Sequence, residues 1–203
     1  MDVRTLSSVL GGLFISVALT ACSESDSAPR AVEQPAPLFM LSADGVGPLN
    51  AETPFNLRQI GDAFQDYNVA EETHFLNGSK YPMITVKQQA DPLISINPDH
   101  QGQSVFSIVV HNDRVGNKLG HQVGEAFNAI YSYGETEECA PGVEEWEGKV
   151  MCYAPQNKNI LYLFASAQGG IENVMRTAET IVPPPETMAD WVLEAIIWKP
   201  PGR

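Results

Sequence analysis

Basic residues are scarce in this sequence: 12 Lys and Arg stand against 25 Asp and Glu, a formal net charge of −13. They are scattered singly, so no basic patch offers itself to a phosphate backbone, which speaks against nucleic acid as a partner. Such a surface would attract a cationic partner, although acidity also serves plain solubility. Cysteine is limited to three residues, and Cys-x-x-Cys pairs are missing. The four histidines, His74, His100, His111 and His121, lie far apart without metal-ligand spacing and read as surface or loop residues. Also missing are the Gly-x-Ser-x-Gly elbow, Ser-x-x-Lys, His-Glu-x-x-His, the Walker loop and the EF-hand loop. Gly45-Val46-Gly47 begins like a dinucleotide motif but has no third glycine and no βαβ context, so it reads as a turn. The sequence therefore assigns no catalytic residue, no cofactor and no metal, and the chain is expected not to be an enzyme.

What is present begins with an address. Arg4 and the amino terminus form a thin positive region, followed by an apolar run from Val9 to Leu19. That run is shorter than the ~20 residues a membrane-spanning helix needs, and it fits a signal peptide over residues 1–21. It ends in Leu19-Thr20-Ala21-Cys22, which resembles the bacterial lipobox. The resemblance implies cleavage before Cys22 and lipidation of that residue, including a palmitate chain. Two or three acyl chains exceed the two-signal requirement for stable membrane anchoring. Ser23 and Glu24 follow, where an Asp beside the cysteine would favour inner-membrane retention. The expected location is the outer membrane, facing the periplasm. Residues 22–37 carry three prolines and little to bury, as suits a flexible tether between lipid and domain.

Export also decides the cysteines. With Cys22 lipidated, Cys139 and Cys152 remain, and an oxidising compartment closes them as a disulfide. Pro141-Gly142 and Gly148 between them form turns, so the bond pins the ends of a loop that leads into a strand. Glu135, Glu137, Glu138, Glu144, Glu145 and Glu147 cluster about that loop with Trp146 among them. An acidic solvated hairpin is the plain reading. The sharper one makes Glu144, Glu145, Trp146 and Glu147 a protein interface, since an aromatic ringed by charge resembles an interface anchor.

Residues 38–203 read as a single β-rich domain. The fold class expected is mainly β, or α+β: antiparallel, sandwich-like sheets with two short amphipathic helices. One helix is predicted from about Thr53 to Phe64, with Thr53 as cap, Pro54 at the first position and Leu57, Ile60 and Phe64 on one face. The other is predicted from about Gln122 to Tyr131, where Val123, Ala126, Phe127 and Ile130 align. Strands are predicted at Met83–Lys87, Leu93–Asn97, Ser104–His111, Val150–Tyr153, Ile160–Ala165 and Trp191–Lys199. The order helix–strand–strand–strand recurs, which raises an internal α-β-β-β duplication. Gly169 to Asp190, with three consecutive prolines, reads as a long surface loop.

Several strings are similar to a known family. Gly45-Val46-Gly47-Pro48-Leu49-Asn50-Ala51-Glu52-Thr53-Pro54-Phe55, Ile94-Ser95-Ile96-Asn97-Pro98-Asp99, Val150-Met151-Cys152, Tyr162-Leu163-Phe164 and the ending Trp191…Ile196-Ile197-Trp198-Lys199-Pro200 resemble the sigma-E-regulated lipoproteins of Gram-negative enteric bacteria, a domain family of unknown function. The resemblance spans roughly residues 44–200. It implies an envelope lipoprotein with a β-rich fold and expression tied to envelope stress, and it carries over no catalytic residues. Around residues 165–185 the chain departs from the family pattern. The leading expectation is a non-catalytic protein that binds a basic or envelope partner. Alternatives are an inhibitor of a basic enzyme such as lysozyme, a hydrolase using carboxylates such as Asp99 and Glu172, and a carrier of an apolar ligand.

Overall fold

In the computed structural model, residues 35–76, 78–132, 138–166 and 182–202 are described. Residues 1–21, Cys22, residues 23–34 of the tether, Glu135, Glu137, Glu172 and residues 169–181 of the predicted loop lie outside them. Pro35 to Arg203 forms one compact unit, and among its described residues no helix is long and apolar enough to cross a membrane.

Two sheets build this unit. β1 (Phe39–Ser42), β2 (Gly45–Val46), β3 (Leu49–Asn50) and β8 (Val115–Asn117) make a small sheet in the order β3-β2-β1-β8. The large sheet holds β4 (Asn68–Leu76), β5 (Ser79–Gln88), β6 (Asp91–Pro98), β7 (Val105–Val110), β9 (Cys139–Pro141), β10 (Val150–Ala154), β11 (Asn157–Ala165) and β12 (Val192–Trp198). Its order is β4-β5-β6-β7-β12-β11-β10-β9. Two four-stranded meanders thus meet where β7 pairs antiparallel with β12, Val110 opposite Ile196 and Ile108 opposite Trp198. Every pairing in the large sheet is antiparallel, as expected from strands without long crossovers. The parallel exception is β1 against β8 in the small sheet.

The helices differ from the sequence reading in extent. α1 spans Leu57–Ala63, capped by Asn56, whose side-chain oxygen accepts from the Gln59 N–H. Thr53 is not the cap. Its hydroxyl serves the preceding turn by accepting from Asn50 N–H, and Pro54 bridges Ser104. α2 is a single turn, Phe127–Ile130. Gln122 to Ala126 cannot coil because they run beside β12: Gly124 N–H donates to Leu193 O, Leu193 N–H donates to Glu125 O, and Ala126 bridges Val192. Each helix precedes a meander of four strands, one more than the sequence suggested, since β4 and β9 were not predicted.

Alternation along the strands divides the large sheet into two faces. Ile84, Ile96, Ile108, Ile160, Tyr162, Phe164, Ile196 and Trp198 point to one face and pack with Leu41, Val46 and Val115 of the small sheet and Ile60 of α1 in a single core cluster. Polar clasps cross this core. The Trp198 indole N–H donates to Ala43 O at 3.0 Å, and Asn117 Nδ2 donates to the Tyr162 hydroxyl at 3.1 Å. His121 Nδ1 lies 2.9 Å from that hydroxyl, and burial pushes the Tyr162 pKa up to about 12. The described end of the Pro-rich segment belongs to the core as well: Met188 is 1% exposed and Pro183 is buried, which corrects the reading of a surface loop there. Gly45 is dictated by space, because a Cβ would lie 1.9 Å from Leu49 O.

Cys139 and Cys152 face each other across β9 and β10 and are disulfide-bonded. Closing a loop of 13 residues' separation stabilises by roughly 3 kcal/mol in the chain-entropy model. A Cys139→Ser/Cys152→Ser chain is expected to melt about 6–12 °C lower. An unchanged melting temperature in a calorimetric scan would show that β9 is held without the bond.

Candidate functional site

The second face of the large sheet is concave and carries its own small cluster: Val109, Leu163, Ala195 and Ile197, with Met151, Leu161 and Trp146 packed on it. β4 lies at one edge of the sheet and the β9–β10 hairpin at the other, yet His74 of β4 and Glu145 of that hairpin's loop meet. His74 Nε2 stands 2.6 Å from Glu145 Oε2. The sheet is therefore curled far enough for its opposite edges to touch without closing as a barrel. Inside the curl is a groove of about 690 Å³, within the size range of small-ligand sites.

Its floor is a polar stripe in otherwise apolar strands. Ser95 and Asn97 alternate with Ile94 and Ile96 on β6, and Ser107, Val109 and His111 follow the same period on and just after β7. Asn97 Nδ2 donates to Ser107 Oγ at 3.2 Å, and the Ser95 hydroxyl lies 2.8 Å from His111 Nε2. Burial lowers the His111 pKa, opposed by the nearby Glu194 carboxylate, so the ring is held neutral, and its free nitrogen lone pair can accept the Ser95 proton.

The rim comes from two loops. The β4–β5 hairpin places Tyr81, 48% exposed, opposite His74 in register. The β9–β10 loop contributes Glu145 and Trp146 from a short 3-10 turn. Trp146 is half-buried on the sheet, while Glu144, Glu145 and Glu147 are exposed. The loop can wrap this tightly because position 142 is glycine: a Cβ there would stand 2.0 Å from Trp146 O. Lys149, which follows, reaches Glu194 of β12 at 2.5 Å. The His74–Glu145 contact is partly exposed, so it adds little stability. Its importance is geometric, as a strap between two parts of the groove wall.

The fold therefore brings together His74, His100 and His111, which the sequence left apart, and sets His121 on the other face. No group of three or more His, Cys, Asp or Glu among the described residues is arranged to hold a metal ion. Asp99 also lines the groove, but its carboxylate organises the β6–β7 turn. Oδ2 accepts from the Ser104 hydroxyl at 2.6 Å, and Oδ1 accepts from the N–H groups of Gln101 and Gln103. These bonds, Ser104 foremost, hold its pKa down to about 2, whereas a general acid needs a raised value. The floor residues were not singled out from sequence. Their signal was available in Ile94-Ser95-Ile96-Asn97, where polar residues sit at every second position of a strand.

The neutral His111 gives a pH prediction. A histidine with a lowered folded-state pKa contributes stability above the unfolded value near 6.5, and loses it as pH falls toward the folded value. Between about pH 8 and about pH 5, the melting temperature of the chain is expected to fall more steeply than that of a His111→Gln variant. Parallel curves would place the loss on other groups.

Comparison with known proteins adds lineage to this geometry. No protein of curated function matches the chain. The crystal structure of the uncharacterized protein yfeY from Escherichia coli is similar to it, with TM-score 0.62 and 26% identity, covering 79% of this chain and 99% of that one. The profile of a family described as protein of unknown function (DUF1131) matches residues 34–200, all of the sheet and groove described above. The chain belongs to the DUF1131 family.

Proposed function

We propose that this chain is a lipoprotein anchored through Cys22 in the outer membrane, facing the periplasm, whose β-rich domain is a non-catalytic binding module. The groove on the concave face carries the reading. It is concave, partly apolar and lined by a few convergent neutral polar groups, which is the form of a binding site. The lipobox-like end of the apolar run supports the anchor, and the disulfide suits an oxidising compartment. The resemblance to sigma-E-regulated lipoproteins supports a role under envelope stress. A partner that docks on the exposed Glu144 and Glu147 would meet the same rim, since both flank Glu145 and Trp146.

Two outcomes are expected. Cys22→Ser is expected to abolish palmitate incorporation and to move the chain from the membrane fraction to the soluble fraction on cell fractionation. Continued sedimentation with the outer membrane would remove the lipid anchor from the proposal. In cells, a photocrosslinking residue at Tyr81 or His100, both on the groove and both exposed, is expected to give discrete adducts. The same residue at the exposed Arg58 of α1 is expected to give none. Equal adducts from all three positions would remove the groove as the binding face.

A further inference from the structure

The groove has a chemistry specific enough to name its occupant. Among the described residues its lining includes no Lys or Arg. Of its two carboxylates, Asp99 is saturated by the turn it builds, and Glu145 lies against His74. Nothing there would select an anion, and the hydrogen bonds on Asp99 commit its oxygens to the turn and away from a ligand. The floor consists of hydroxyl, amide and imidazole groups, each with hydrogen-bonding capacity beyond the one bond it makes across the strands. A peptide would gain little from such a floor. Its backbone pairs with free strand edges, whereas the floor is the face of interior strands β6 and β7, whose ladders are already complete. A wholly apolar ligand would bury the stripe's remaining hydrogen-bonding capacity unused, which is costly. Above the floor stand two aromatic rings, Tyr81 of β5 and Trp146 of the β9–β10 loop. Flat apolar rings over neutral donors and acceptors match molecules that have apolar C–H faces and hydroxyl rims.

We infer that the groove receives a neutral oligosaccharide, stacked against Tyr81 and Trp146 and hydrogen-bonded to Asn97, Ser107 and His111. This rests on the groove being the binding face proposed above, and it narrows the occupant to one class.

The test is calorimetric titration of the full chain in detergent with tetra-N-acetylchitotetraose and maltotetraose. Tetragalacturonate serves as an anionic sugar and penta-alanine as a neutral peptide. At least one neutral tetrasaccharide is expected to bind saturably, and both comparison ligands are expected to bind more weakly. Tyr81→Ala, at an exposed position that leaves the core intact, is expected to weaken binding about three- to tenfold, the range for loss of one ring contact. Ser107→Ala is expected to weaken it in the same direction. Tetragalacturonate or penta-alanine binding as tightly as the neutral sugars would overturn the inference, and so would an unaltered affinity in Tyr81→Ala. If neither neutral tetrasaccharide binds while Tyr81 and His100 still crosslink in cells, the sugar falls and the groove stands. If the crosslinks fail too, both fall.

Discussion

Strands β7 and β12 lie at distant places in the chain, yet they pair over Ile108–Val110 and Ile196–Trp198, and on this junction the large sheet depends. Without it there would be two separate four-stranded meanders, each with an open inner edge. The ladder here covers three residue pairs, and backbone hydrogen bonds contribute only about 0.5–1.5 kcal/mol each. Full burial of a large apolar side chain contributes about 1.5–3 kcal/mol, and Ile108, Val110, Ile196 and Trp198 are all buried here. Side-chain burial therefore holds the junction, and the backbone ladder sets its register. Trp198 adds direction, because its indole N–H reaches Ala43 at the turn of the small sheet.

The same junction explains why the two faces differ. On the core face, Ile108, Val110 and Ile196 meet residues of the small sheet and the helix α1. On the other face, Val109 and Ile197 cluster with Trp146, and Val109 also lines the groove. That face can stay concave because its two edges are managed separately. β9 is only three residues long and is stitched to β10 by the disulfide, while β4 bends over to reach Glu145. Short, stitched or covered edges are how sheets avoid pairing with neighbours.

The class of fold was legible in the sequence because the inner strands are rich in β-branched and aromatic residues and are joined without long helical crossovers. β6, β7, β10, β11 and β12 carry Ile, Val, Leu and aromatics at the right period, and all five were placed within a few residues. β4 escaped because an edge strand needs no apolar stripe: Glu71, Glu72 and Thr73 stand in its middle, and Glu72 is spent on Lys87 and Thr85 of β5. The second helix was overextended because its apolar spacing is real but serves β12 rather than a helix face. The site was the least legible part. His74, His100 and His111 line one groove because β4, β6 and β7 are brought together in the first meander, which no local pattern encodes. What could be read was the polar residue at every second place in β6, a local mark of a face that is not core.

The sequence separation of β7 and β12 has a consequence for the order of events as the chain is made. The first meander and α1 are complete once residue 110 has emerged, and local hairpins of this kind form quickly. The partner of β7, however, is the last strand of the domain, residues 192–198. Long-range pairing of this sort is slow because loop closure precedes any return. Throughout synthesis β7, itself a largely apolar strand of sequence VFSIVV, therefore waits with its inner edge unpaired. A nascent or truncated form is an aggregation hazard at that edge. The terminal strand acts as the molecular clasp whose arrival ends the period of risk.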